Sequence, residues 1–84
     1  MTVYYTKRNL SKEIVKSYIL NCKIDKVIIE QIGSFNKLYK LADKINEINC
    51  FIYDDTSLSG LPHREINNLF KLLSKNNVII IKMH

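Results

Sequence analysis

The stretch Phe51–Met83, FIYDDTSLSGLPHREINNLFKLLSKNNVIIIKM, decides the fold. Together with Cys50, the residues Phe51, Ile52 and Tyr53 have the length and apolar character of a buried strand. They run into Asp54-Asp55-Thr56-Ser57-Leu58-Ser59-Gly60, a polar segment made of turn formers. Leu58 to Pro62 is expected to enter a helix, with Pro62 tolerated in its first turn and Ile66, Leu69, Phe70 and Leu73 forming the buried stripe. Val78 to Lys82 then reads as a further strand. A strand, a helix and a strand in this order form a βαβ unit, which pairs its strands in parallel through a right-handed crossover.

The same alternation extends upstream. Thr2 to Thr6 is a β-rich opening strand, and Leu10, Ile14, Val15, Tyr18 and Ile19 recur at helical spacing through about Asn21, with Asn9 or Ser11 as the cap. Lys26-Val27-Ile28-Ile29-Glu30 has strand length, and Phe35, Leu38, Leu41, Ala42 and Ile45 mark a second amphipathic helix. No repeat or Pro/Gly-rich linker interrupts the chain, so residues 1–84 are expected to form one domain. The order β-α-β-α-β-α-β predicts a small α/β domain, three-layered or partly covered, around a mainly parallel four-stranded sheet. With the last strand at the end of the chain, one sheet edge or face is expected to lack a covering helix, which favours self-association.

A composition of 46% hydrophobic and 25% charged residues excludes a disordered chain, and 84 residues bury only about 60% of their unfolded surface, so stability is modest. Thirteen Lys and Arg against eight Asp and Glu give a charge of +5, which favours anionic partners in a salt-sensitive way. Only Arg8 and Arg64 are arginines, the residue suited to bidentate phosphate contacts. Cys22 and Cys50 form no CxxC pair and have no nearby His, so both are expected to be buried, reduced thiols rather than metal ligands. The start of the chain lacks the pattern of a signal peptide, and the apolar run Val78–Ile81 is too short to cross a bilayer. A cytoplasmic protein is expected.

The turn Asp54–Gly60, the helix segment Pro62-His63-Arg64-Glu65-Ile66 and the corner Asn76-Asn77-Val78 together resemble the catalytic domain of serine recombinases, the resolvase/invertase family. There the third strand ends in a turn written roughly D-x-x-R-L-S-R, followed by a helix similar to P-R-E-I-x-x-L-L. The resemblance implies a flavodoxin-like strand order, 2-1-3-4. It also shows what has been replaced, because Ser57 and Gly60 stand where the family has arginines. In Val3-Tyr4-Tyr5-Thr6-Lys7-Arg8, aligned with the family's Y-x-R-V-S, Arg8 takes the place of the nucleophilic serine and Thr6 that of its companion arginine. Ser11, the nearest hydroxyl, falls about three residues too late. Glu30-Gln31-Ile32-Gly33-Ser34-Phe35 resembles the family's E-x-x-S-G loop, but the residues that follow, with a further active-site arginine, have no counterpart. The long dimerisation helix and the DNA-binding domain have none either. Serine attack on a DNA phosphate needs the nucleophile and the arginines that stabilise charge on the phosphate oxygens, so the resemblance implies an inherited fold without its strand-transfer chemistry.

Other constellations are weaker. Asp54 and Asp55 follow the third strand at the end where open α/β sheets bind ligands, but a Mg²⁺ or phosphoacceptor site would need further acids after the first strand. Thr6, Lys7 and Arg8 stand there instead, and the Asp pair reads as a turn former. His63 lies near Ser57 and Ser59 without an orienting third group, so surface or capping roles are expected; His84 is expected to be exposed. The leading expectation is therefore a non-catalytic module without cofactor or metal, a regulator that binds itself, a recombinase or a host protein. Tyr4, Tyr39, Tyr53, His63 and Arg64 are its candidate protein contacts, although Tyr4 and Tyr53 also fit core packing. The Lys-, Ile- and Asn-rich composition suits an AT-rich bacterial, phage or mobile-element genome. The alternative is a nucleic-acid-binding accessory protein that uses Lys7, Arg8 and Lys12 at the basic end of the sheet.

Overall fold

Strand β1 (Thr2–Thr6) lies inside the sheet and is nearly free of solvent contact, because it is flanked on both sides by parallel neighbours. The computed structural model describes residues 1–83, and the expectation for His84 lies outside the described residues. Helix α1 (Lys12–Asn21) follows, then β2 (Lys26–Ile29), α2 (Asn36–Asp43), a 3-10 turn at Ile45–Glu47, β3 (Cys50–Tyr53), α3 (His63–Lys75) and β4 (Ile79–Lys82). All strand pairs are parallel and the sheet order is β2-β1-β3-β4. This is the flavodoxin-like order expected above, with β2 and β4 at the two edges.

Alternation along the strands divides the core between two faces. Val3, Tyr5, Ile28 and Phe51 point to the face covered by α2 and α3, where Leu38, Leu41, Ile48, Leu73 and Val78 complete the larger cluster. Tyr4 and Ile52 point the other way and meet Ile24, with Leu10, Tyr18 and Val27 partly buried around them. One ten-residue helix covers that second face, and α1 contains no buried residue. Tyr18 packs edge-on against Tyr4, with ring centroids 5.5 Å apart.

Helix limits follow local chemistry. Ser11, not Asn9, caps α1, its hydroxyl accepting from the Ile14 N–H at 3.3 Å. Helix α3 begins at His63 rather than within Leu58–Pro62. Gly60 at φ +90° and Pro62 at ψ 146° keep the chain out of the helical region until then. At its other end, Asn77 sits at φ 60°, the Asn77 N–H donates to the Ser74 carbonyl, and the Val78 N–H donates to the Leu73 carbonyl. This is a Schellman closure, and its apolar pair, Leu73 and Val78, is buried in the core. Cys22 ends α1 and is exposed, contrary to expectation, because the turn at Lys23 directs Ile24 inward in its stead. Cys50 is half-buried, and burial raises its thiol pKa.

Candidate functional site

In the order β2-β1-β3-β4 the chain reverses direction across the sheet between β1 and β3, and ligands of open α/β folds bind outside the carboxyl ends of the strands at this point. Here the place is filled by side chains of the protein itself. Asp54, one residue past β3 and 2% exposed, lies on the α1 side with Tyr4 and Thr6. Its Oδ2 accepts from the Tyr4 and Thr6 hydroxyls. Its Oδ1 accepts from the Thr56 N–H at 2.8 Å, the Thr56 hydroxyl and the Ser57 hydroxyl at 3.3 Å. The Arg8 Nε stands 3.7 Å from Oδ2 with its side chain half exposed. The turn is further closed by Ser57, whose hydroxyl accepts from the Asp54 N–H and donates to the Tyr5 carbonyl.

Burial alone would raise the pKa of Asp54, but the hydrogen bonds from Thr56, Thr6 and Tyr4 outweigh it and hold the carboxyl at about 2. The Tyr4 hydroxyl is pushed up to about 12 by burial and by its bond to that carboxylate. Asp54 is thus a carboxylate held by the Tyr4, Thr6 and Thr56 hydroxyls and the Thr56 N–H, with the one Ser57 hydroxyl proton shared between it and the Tyr5 carbonyl, which fits the turn-forming reading of the sequence. Asp55 is exposed, and its Oδ1 lies 2.9 Å from the Lys82 Nζ.

A second network occupies the opposite face at the same end of the sheet. Glu30, just past β2, accepts from the Tyr5 hydroxyl, from Ser34 at 3.2 Å and from the Lys37 N–H at 2.7 Å. The last of these places a carboxylate at the N-terminus of α2, where Phe35 gives no side-chain cap and the helix dipole favours negative charge. Burial again raises the Glu30 pKa, and these donors lower it further than burial raises it. Tyr5, desolvated and bound to Glu30, has its pKa raised well above the usual tyrosine value. Lys7 shares this face. It is 6% exposed, its Nζ has no hydrogen-bond partner among the described residues, and it lies 3.3 Å from the centroid of the Phe35 ring. Burial lowers its pKa, with Glu30 opposing that shift.

These positions correct two sequence expectations. Tyr4 cannot offer a protein contact, because it is 1% exposed and its hydroxyl is committed to Asp54. Lys7 cannot reach a nucleic acid from the surface, because alternation along β1 sends it under Phe35 while Arg8 turns to the opposite face. Arg8 and Lys12 are both exposed. Tyr53 is half-buried against Phe70, with ring centroids 5.6 Å apart. Tyr39 is 52% exposed and donates to Glu65 Oε2 at 3.0 Å, and His63 and Arg64 at the start of α3 are exposed. A groove of about 210 Å³ between α2 and α3 is lined by Leu38, Tyr39, Ala42, Leu61, Leu69 and Leu72.

Sequence reasoning passed over Thr6 and Glu30 as network members. The signal was the alternation of β1: Tyr4 and Thr6 on one face, Tyr5 and Lys7 on the other, each pair facing one carboxylate across the strand ends. Among the described residues, no group of three or more His, Cys, Asp or Glu is placed to hold a metal ion, and no helix is long and apolar enough to cross a membrane. No family model, curated protein or solved structure matches this chain.

Proposed function

We propose that this chain is a non-catalytic α/β binding module that assembles with a second copy of itself through β4 and the thinly covered face beside it. The recombinase-like turn and helix motifs fit this reading, with the position of the family's chemistry taken over by structural networks. The observation that carries it is the exposure of Ile79 (62%) and Ile81 (44%) on an edge strand. Their register partners are Cys50 and Ile52, which point to the face that α1 covers alone. An edge strand presents unpaired backbone N–H and C=O groups as a template for another strand. Antiparallel pairing of two β4 strands about a two-fold axis at Ile80 would set Ile79 of each copy opposite Ile81 of the other, which makes the edge self-complementary.

Four residues span only about 13 Å, whereas a stable interface covers about 800 Å² per partner. The adjoining apolar surface must therefore take part: Met83 follows β4 on this face, and α1 packs over β2 at the far edge, which leaves the β4 side open. Regulation of a recombinase or host protein would use the same contact, with the partner's strand replacing the second copy.

Sedimentation equilibrium tests the reading. Wild-type protein is expected to dimerise at micromolar to submillimolar concentration, and Ile79→Lys with Ile81→Lys is expected to be monomeric with an unchanged circular dichroism spectrum. A monomeric wild type across that range, with no association on titration with a recombinase catalytic domain, would overturn it.

A further inference from the structure

The opposite edge of the sheet differs in chemistry. Between α2 and the edge strand β2 runs a groove of about 380 Å³. Its rim carries Lys37, Lys40 and Lys44 from the α2 side and Lys26 from β2, and its floor is formed by Ile28 and Leu41. Four lysines and Met1, whose N-terminal ammonium donates to the Glu47 carbonyl, line the groove with one acidic residue, Glu47. Spacing by three and four residues puts Lys37, Lys40 and Lys44 on one face of the helix. Lys37 is fixed in place, its Nζ donating to the Ile29 carbonyl at 2.8 Å, which leaves two further donors on that ammonium.

We propose that this groove binds an acidic, partly apolar peptide segment of a partner protein. The row from Lys37 to Lys44 extends about 10 Å along the helix, which matches three or four residues of extended chain. A single small anion would require the ammonium groups to converge, and here they are strung out in a line. Carboxylates at alternate positions of an extended peptide meet the lysine rim while the intervening side chains turn to Ile28 and Leu41. Single-stranded nucleic acid suits the groove less well, since among the described residues no aromatic ring lines it for base stacking and no arginine stands at its rim. The proposal deepens the binding-module reading but uses the edge opposite β4, so the two can fail separately.

The test uses a fluorescein-labelled peptide in which glutamates alternate with leucine and valine, titrated by anisotropy with wild-type protein. Binding is expected, with affinity falling as salt rises. Lys40→Glu with Lys44→Glu is expected to weaken it by about tenfold or more, whereas Lys71→Glu with Lys75→Glu on α3 changes the net charge equally and is expected to have an effect of no more than about threefold. The monomeric β4 variant is expected to bind like wild type. Equal losses in the two double variants would overturn the proposal in favour of non-specific charge attraction. Tighter binding and displacement by oligo-dT would overturn it in favour of nucleic acid, and absence of peptide binding would overturn it outright.

Discussion

Replacing Asp54 by Asn keeps the shape of the side chain but leaves one acceptor oxygen where the native carboxylate serves Tyr4, Thr6, Thr56 and Ser57. It also turns an amide NH₂ toward those donors. Loss of a buried charged acceptor with several dependants is expected to cost about 2–4 kcal/mol, a large share of what a small domain possesses, and urea unfolding measures it. The same carboxylate fixes an acid limit. Its folded pKa of about 2 lies below the ordinary 3.8, so the unfolded chain takes up the proton first. The contribution is complete above about pH 4 and is lost as pH falls toward 2, about 2 kcal/mol in all at 1.36 kcal/mol per unit. Glu30, also lowered, acts in the same sense. Wild-type protein is therefore expected to lose urea resistance between pH 5 and pH 2.5, and Asp54→Asn to show a shallower decline. Lys7 has the opposite balance. Desolvation of its ammonium outweighs the attraction of Glu30, so Lys7→Met, which keeps the stem beside Phe35, is expected to raise stability by about 1 kcal/mol. An unchanged or lower urea midpoint would show that the Phe35 contact outweighs desolvation.

At the scale of elements, α1 is held by its ends more than by its packing. Ser11 caps its start, and Lys23 at φ 55° turns the chain so that Ile24 enters the core. Lysine pays a steric penalty in the left-handed region that glycine does not, so Lys23→Gly is expected to stabilise the protein by up to about 1 kcal/mol, read as a raised melting temperature. Strands β1 and β3 were legible in the sequence because short apolar runs end at polar residues, and their observed limits coincide with those expected. The start of α3 was not, since Leu58 and Leu61 look apolar enough to begin a helix and only the backbone at Gly60 and Pro62 delays it. The site was half legible. Asp54 as a turn former follows from residue type, but its pairing with Tyr4 and Thr6 requires the strand order and the alternation of β1 together. The burial of Lys7 was beyond reach, because it depends on where the loop from Gln31 to Phe35 lays one aromatic ring. The lysine groove required knowing that α2 lies alongside β2, an adjacency that helical spacing alone does not supply.

For the whole molecule, the sheet has a protected centre and two unlike edges, and hydrogen exchange should rank them. Strands β1 and β3 carry the most buried side chains, and α2 and α3 shield one face while α1 buries none of its residues. Amides of β1 and β3 are expected to exchange only through global unfolding, and those of α1 through local opening that costs less by about 2 kcal/mol. Strand β4 distinguishes a lone edge from a paired one. In a monomer its outward amides stay open to water and exchange fast at any concentration. In a dimer joined along β4 they acquire partners, and protection at Ile79–Lys82 rises with protein concentration by mass action while α1 and β2 stay as they were. Exchange at two concentrations about a hundredfold apart, well either side of the dissociation constant from sedimentation, is the appropriate comparison. A rise confined to β4 would assign the dimer to this edge. A rise at α1 alone would keep the self-association but move the contact from strand pairing to that helix, and its exposed Ile14 and Ile19 would then be the residues to replace.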